Sequence, residues 1–146
     1  MIDIMQAAAP LHDIGKIGIS DNILLKSGPL TKEEITVMQR HAAIGAKILS
    51  GSNNPVIKMA EIIAHYHHEN WDGSGYPSGL KGEEIPIAAQ VVAITDVYDA
   101  LRSDRVYRKG MPKDEVIKMI TSYREKKFSP KVTDLFIEYV NHKENI

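Results

Sequence analysis

Apolar positions along this chain recur at helical spacing, while alternating β-branched runs bounded by tight hairpin turns are missing. Prolines and glycines cut the sequence into helix-sized pieces, and residues 3–14 predict the first of them. Thr31 followed by Glu34 is a capping-box signal; Ile35, Met38, Ala42, Ile48 and Leu49 then recur roughly at helical spacing until Gly51 supplies a stop. That pattern predicts a helix over 32–50. Pro55, Pro86, Pro112 and Pro130 each stand where a first-turn proline would. The apolar sets that follow them, Ile62/Ile63, Val91/Val92/Ile94, Val116/Met119/Ile120 and Leu135/Phe136/Val140, predict four further helices. Segments 15–30 and 70–85, rich in Gly, Pro and Ser, predict ordered loops. The expected fold class is all-α, a single-domain helical bundle without repeats or an interdomain linker.

Composition narrows the chemistry. A chain of 146 residues is long enough to bury one sizeable core without disulfides or a structural metal. With 43% apolar residues, 25% charged residues and a formal net charge of −1, it has no large basic field for coating nucleic acid. Neither a membrane-length apolar run nor a leader pattern is present, so the expected location is the cytoplasm, with no membrane in this segment. The chain has no cysteine, which leaves metal binding to His, Asp, Glu and other oxygen donors.

The metal-capable residues fall at His12-Asp13, His41, His67-His68 and Asp96, separated by 26 to 29 residues. One helix of three to four turns plus a connection uses about that much chain, so each interval can carry the backbone away from a common point and back. Adjacent helical residues point about 100° apart, which suits the His-Asp and His-His pairs to two neighbouring ions, or to one ion and its water. Nitrogen and carboxylate donors without thiolates fit Fe, Mn, Zn or Ni, and Asp13 can bridge two ions. His65 lies two residues from His67 and so on another helical face. Glu69 can cap, pair or support a ligand.

Four stretches, "AAPLHDIGKIGISDNILLKSGPLT" at 8–31, "MQRHAAIGAKIL" at 38–49, "HHENWDGSGYPSGLKGEEIP" at 67–86 and "AITDVYDALRSDRVYRKGM" at 93–111, together resemble the HD superfamily of metal-dependent phosphohydrolases. The resemblance is specifically to the HD-GYP subgroup, bacterial cyclic di-GMP phosphodiesterases, and it covers nearly the whole chain.

By that resemblance the chain is one HD-GYP domain over 1–146. His12, Asp13, His41, His67, His68 and Asp96 are its expected metal ligands, with Asp13 bridging. Two divalent ions, or three, are implied, Fe or Mn first and Zn or Ni next. Asp13 and Lys16 are the expected catalytic residues. Lys16, Tyr76, Asp99, Arg105 and Arg108 are the expected substrate contacts, the arginines holding the phosphates of the dinucleotide. The implied activity is hydrolysis of cyclic di-GMP to pGpG, with GMP as an alternative endpoint, in second-messenger signalling.

Relatives also contribute a further histidine, or a glutamate and a histidine, from a helix upstream of the His-Asp pair. Here 11 residues precede His12 and none is histidine, so the domain is expected to lack its N-terminal helix or helices. The full-length protein is then expected to carry a receiver or sensory domain and to meet signalling-protein partners. A second departure is "YREKKFSP" at 123–130, where relatives often have a glycine before the phenylalanine and an aspartate before the proline. The alternative is a catalytically inactive HD-GYP binding module. A mononucleotidase of the HD type leaves the "GYP" loop and the arginine pair unexplained.

Overall fold

A computed structural model of the chain describes residues 1–104 and 109–142. Arg105 and Arg108 lie outside the described residues. The order is α1 (Ile2–Ala8), two 3-10 turns (Ala9–Leu11 and Ile14–Gly18), α2 (Asp21–Leu24), α3 (Lys32–Gln39), α4 (His41–Leu49) and α5 (Pro55–Tyr66). A 3-10 turn (Gly82–Glu84), α6 (Ile87–Arg102), α7 (Lys113–Ser122) and α8 (Pro130–His142) complete it. No β-strand forms among the described residues, as the hydrophobic period requires. No helix among them is long and apolar enough to cross a membrane.

The predicted helix starts hold because their caps are real. Thr31 and Glu34 exchange reciprocal bonds, Thr31 N–H to Glu34 Oε2 at 2.7 Å and Glu34 N–H to Thr31 Oγ1 at 3.3 Å. The Asn54 side chain accepts from Val56 N–H at 2.8 Å, and Pro55 opens α5. Pro130 opens α8, whereas Pro86 and Pro112 stand one residue earlier, as the caps of α6 and α7.

Three expectations are corrected. The helix over 32–50 is two helices, because at Arg40 the ladder tightens to an Arg40 N–H bond to Val37 O and the His41 ring takes the Met38 carbonyl. The helix over 3–14 stops at Ala8, and Pro10 sits in the 3-10 turn that follows. The loop over 15–30 contains a 3-10 turn and α2, elements too short to show a period.

Two apolar clusters flank α6. Ala8, Leu49, Ala60, Ile63, Ala64, Ala88 and Val92 join α1, α4 and α5 to one face of it. Ala93, Ile94, Val116, Ile120, Phe128 and Val132 join α7, α8 and the turn before α8 to the other. Ile63, Ile94 and Ile120 are fully buried, each contributing about 1.5–3 kcal/mol. Alanines and glycines set the helix separations. A Cβ on Gly15 would overlap the His41 carbonyl oxygen and the Gly45 amide, so glycine there lets the His-Asp segment lie directly on α4.

Candidate metal centre

Five of the six expected ligands sit at element ends. His12 and Asp13 occupy the joint between the first two 3-10 turns, His41 begins α4, and His67-His68 follow the last turn of α5. Asp96 projects from the middle of α6. Asp13, His41, His67 and His68 bring one donor atom each within 4.8 Å of one another.

The Asp13 carboxylate divides the cluster. Its Oδ1 lies 3.4 Å from His41 Nε2 and 3.8 Å from His67 Nε2. Its Oδ2 lies 3.4 Å from His12 Nε2 and 2.5 Å from the Lys16 ammonium. Asp96 Oδ1 stands 3.7 Å from His12 Nε2, on that second side, and His68 Nε2 is 3.1 Å from His41 Nε2 on the first.

Backbone carbonyls decide which ring nitrogens face inward. His12 Nδ1–H donates to Ala9 O at 2.8 Å, and His41 Nδ1–H donates to Met38 O at 2.7 Å. His67 Nδ1–H is shared between Ile63 O at 3.0 Å and Ala64 O at 3.1 Å. A carbonyl only accepts, so each Nδ1 carries the proton and each Nε2 is turned toward Asp13. His67 Nε2 is buried and has no hydrogen-bond partner among the described residues. An orphaned buried nitrogen is costly unless something binds it.

The donor set fits a divalent cation. Nitrogens about 2.0–2.1 Å from one ion stand roughly 3 Å apart at right angles, which is the His41–His68 separation. The two Asp13 oxygens face different histidines, the arrangement a bridging carboxylate needs.

Electrostatics differ across that carboxylate. Hydrogen bonds to Asp13 and then Asp96 push His12 up to about 10. Burial, reinforced by the charge of His12, pushes His67 down to about 4; burial with His67 and His41 pushes His68 down to about 3. Burial would raise Asp13, but bonds from His12 and Lys16 outweigh it and hold the carboxylate below its ordinary value. The His12 bond likewise lowers Asp96 against the opposing pull of burial.

The "GYP" loop lies on the histidine pair. The Tyr76 ring stacks on His68 with centroids 4.8 Å apart at 26°, and Tyr76 N–H donates to the His68 carbonyl at 3.2 Å. A Cβ on Gly75 would overlap the backbone of His68, Glu69 and Asn70, which explains a glycine at that position. Burial, with the charges of Asp13 and Asp96, pushes the Tyr76 hydroxyl up to about 12.

Glu69, undecided from sequence, is 3% exposed and accepts from Ser78 N–H at 2.7 Å and Leu80 N–H at 3.0 Å. It clamps the far end of the loop whose near end carries His68. Its partners lie 9 and 11 residues away, so no local signal could assign them.

Asp99 is not brought to the cluster. It is exposed one turn beyond Asp96, with no side-chain hydrogen bond or ion pair among the described residues; an expected contact with Arg105 lies outside them. The turn before α8 docks on the loop that follows the histidine pair through a non-local bond, Trp71 N–H to Lys127 O at 3.1 Å, which no local signal could assign.

The family model described as "HD domain" matches residues 3–132. A Thermotoga maritima cyclic di-GMP phosphodiesterase is 52% identical over 134 residues, 92% of this chain and 36% of the relative. A Xanthomonas campestris cyclic di-GMP phosphodiesterase response regulator is 47% identical over 93% of this chain and 36% of its own length. A Vibrio cholerae 3'3'-cGAMP-specific phosphodiesterase is 40% identical over 94% of this chain and 26% of its own length. The chain thus spans about a third of the curated relatives it matches, or less. With a family match over nearly its full length and the histidine–aspartate cluster and "GYP" loop in place, the chain belongs to the HD-domain family, in its HD-GYP type.

Proposed function

We propose that this domain is a metal-dependent phosphodiesterase that hydrolyses cyclic di-GMP to pGpG and onward to GMP. The observation that carries it is the orphaned His67 Nε2, aimed with His12 and His41 at one carboxylate, beside a loop with a tyrosine poised over His68. The activities named for the Thermotoga and Xanthomonas relatives support the same substrate.

His12, His41, His67, His68 and Asp96 would hold two divalent ions, Fe or Mn, with Asp13 between them. Bound there, such ions supply Lewis acidity toward a phosphoryl group and an activated water. Asp13 remains a carboxylate throughout the neutral range, which suits a ligand that also positions the attacking water. The Lys16 ammonium, 41% exposed, sits at the rim, where it can exchange its Asp13 contact for a phosphate oxygen. Tyr76 keeps its proton at neutral pH, so its hydroxyl can donate to the phosphate or the departing ribose oxygen.

Arg105 and Arg108 are proposed to grip the second phosphate. Asp99 would repel an anion directly, so its proposed role is to steer those arginines. Water adds across the P–O bond, leaving a 5'-phosphate and a free 3'-hydroxyl. The Xanthomonas relative's name supports a receiver or sensory domain in the parent polypeptide.

A second substrate reading, 3'3'-cGAMP, is favoured by the Vibrio relative. Chromatography of both cyclic dinucleotides incubated with manganese- or iron-loaded protein tests the choice. Appearance of pGpG from cyclic di-GMP is the expected result; both substrates surviving intact would overturn the activity.

A further inference from the structure

Helix α8 carries two apolar stripes where a helix on the surface of a bundle needs one. Val132 and Val140 are buried and Phe136 packs on the cluster shared with α7, so that stripe belongs to the core. Leu135 and Tyr139, one turn apart, face outward and are 56% and 59% exposed. They form one wall of a groove of about 710 Å³ whose other wall is Ile87 and Val91 of α6, with Gln6 of α1 and Thr95 also lining it. Ile87 is itself 58% exposed. A contiguous apolar surface of this kind, rimmed by polar groups, marks an interaction face.

The charges on the outward stripe are arranged to meet a copy of themselves. Lys131 is the second residue of α8, where the helix dipole disfavours a cation, and the first turn holds no acid. Among the described residues no hydrogen bond or ion pair engages its ammonium. Asp134, the acid nearest to it in sequence, is held by Arg124 at 2.9 Å. Glu138 stands two turns beyond Lys131, and its ion-pair partner is His142 Nε2, at 4.0 Å. A cation at one end of the apolar stripe and an acid about 10 Å along the axis are complementary to the same stripe run antiparallel.

We propose that this face is an interface between two copies of the chain, an isologous dimer in which the two α8 helices pack antiparallel. A two-fold axis passing between Asp134 and Leu135 sets each Lys131 opposite Glu138 of the second copy. The two Leu135 side chains then meet beside the axis. Ile87 lines both this groove and the adjoining one together with Lys131 and Val132, so it stands by the start of α8. Tyr139 of the second copy, near the end of its own α8, is thereby brought onto Ile87. The pairing requires neither metal nor substrate, so it stands or falls apart from the phosphodiesterase reading.

Sedimentation equilibrium over a wide concentration range tests the assignment on wild type, L135E, K131E, E138K and the double variant K131E/E138K. The expected result for wild type is a reversible monomer–dimer equilibrium. Leu135→Glu puts a charge at the centre of the interface and is expected to weaken dimerisation about a hundredfold or more. K131E and E138K each create like-charge pairs and are expected to weaken it about tenfold, since two-fold symmetry counts every change twice. The double reversal restores opposite charges and is expected to return affinity to within about threefold of wild type. Both reversals suit the helix dipole, an acid near the start of α8 and a base toward its end, so a folding defect does not mimic the result. Wild type that stays monomeric throughout overturns the proposal and leaves the groove to another occupant, such as a segment of a longer polypeptide. A dimer that L135E leaves intact, or a double reversal as weak as its two single variants, overturns it too, because the contact then lies elsewhere or in another register.

Discussion

On one side of the Asp13 carboxylate, His41, His67 and His68 meet in a buried pocket; on the other, His12 and Asp96 meet at its edge. The same residue type is driven in opposite directions by these surroundings. Exclusion of water and the mutual repulsion of imidazoliums hold His67 and His68 near 4 and 3, so their lone pairs are ready for a cation at neutral pH. Two carboxylates hold His12 near 10, so in the metal-free protein a proton stands where a cation would compete. Binding a cation at His67 and His68 therefore displaces no proton from them at pH 7, while binding at His12 displaces one.

Removing the divider has the largest expected effect. Asp13→Asn takes a charged donor from both sides at once. Elemental analysis is expected to find little bound metal, and turnover falls on the order of 10^3-fold, several kcal/mol of lost charge stabilisation.

Glu69→Gln breaks the comparison on the buried side alone. One of the two N–H groups now met by the carboxylate loses a full acceptor. The variant is expected to lose about 1–3 kcal/mol in urea unfolding, and metal affinity on the His68 side falls about 10–100-fold. The His12–Asp96 contact does not depend on that loop.

Acidity sharpens the contrast in the chelated, metal-free protein. His67 and His68 have folded pKa values below the ordinary 6.5, so the unfolded chain binds more protons and stability falls as pH drops from about 6.5 toward 4 and 3. His12 has a raised folded value, so its contribution is fully present below 6.5 and is lost as pH rises through about 10. Calorimetric midpoints are expected to peak near pH 6.5. His68→Asn should flatten the acid limb and His12→Asn the alkaline limb; identical profiles for the two variants would refute the division.

The smallest effect serves as a control away from both sides. Glu125 adopts φ 68°, a left-handed conformation that suits glycine. Glu125→Gly is expected to stabilise the protein by about 0.5–1 kcal/mol without changing its metal content.

Helix starts were legible in the sequence because caps and prolines act within three residues, as at Thr31 and Pro55. The clustered residues were legible because they recur at helix-length intervals, four of them in the pairs His12-Asp13 and His67-His68. The break at Arg40 was not, since it depends on which carbonyl the His41 ring takes. Neither the Glu69 clamp nor the docking of Lys127 could be read, because both are bonds between segments whose approach is set by the completed fold. Glu125 lies between these cases. Its stretch, 123–130, is visible in the sequence as a departure from relatives, while the positive φ at Glu125 appears only in the backbone.

The most direct test of the divided site is the metal stoichiometry of wild type and His12→Asn, measured on manganese-loaded samples after gel filtration. A bridging Asp13 predicts about two ions per chain in the wild type and about one in the variant, the remaining ion held by His41, His67 and His68. One ion per chain in both proteins would contradict it, leaving a single site on the buried side and no role for His12 and Asp96 as ligands.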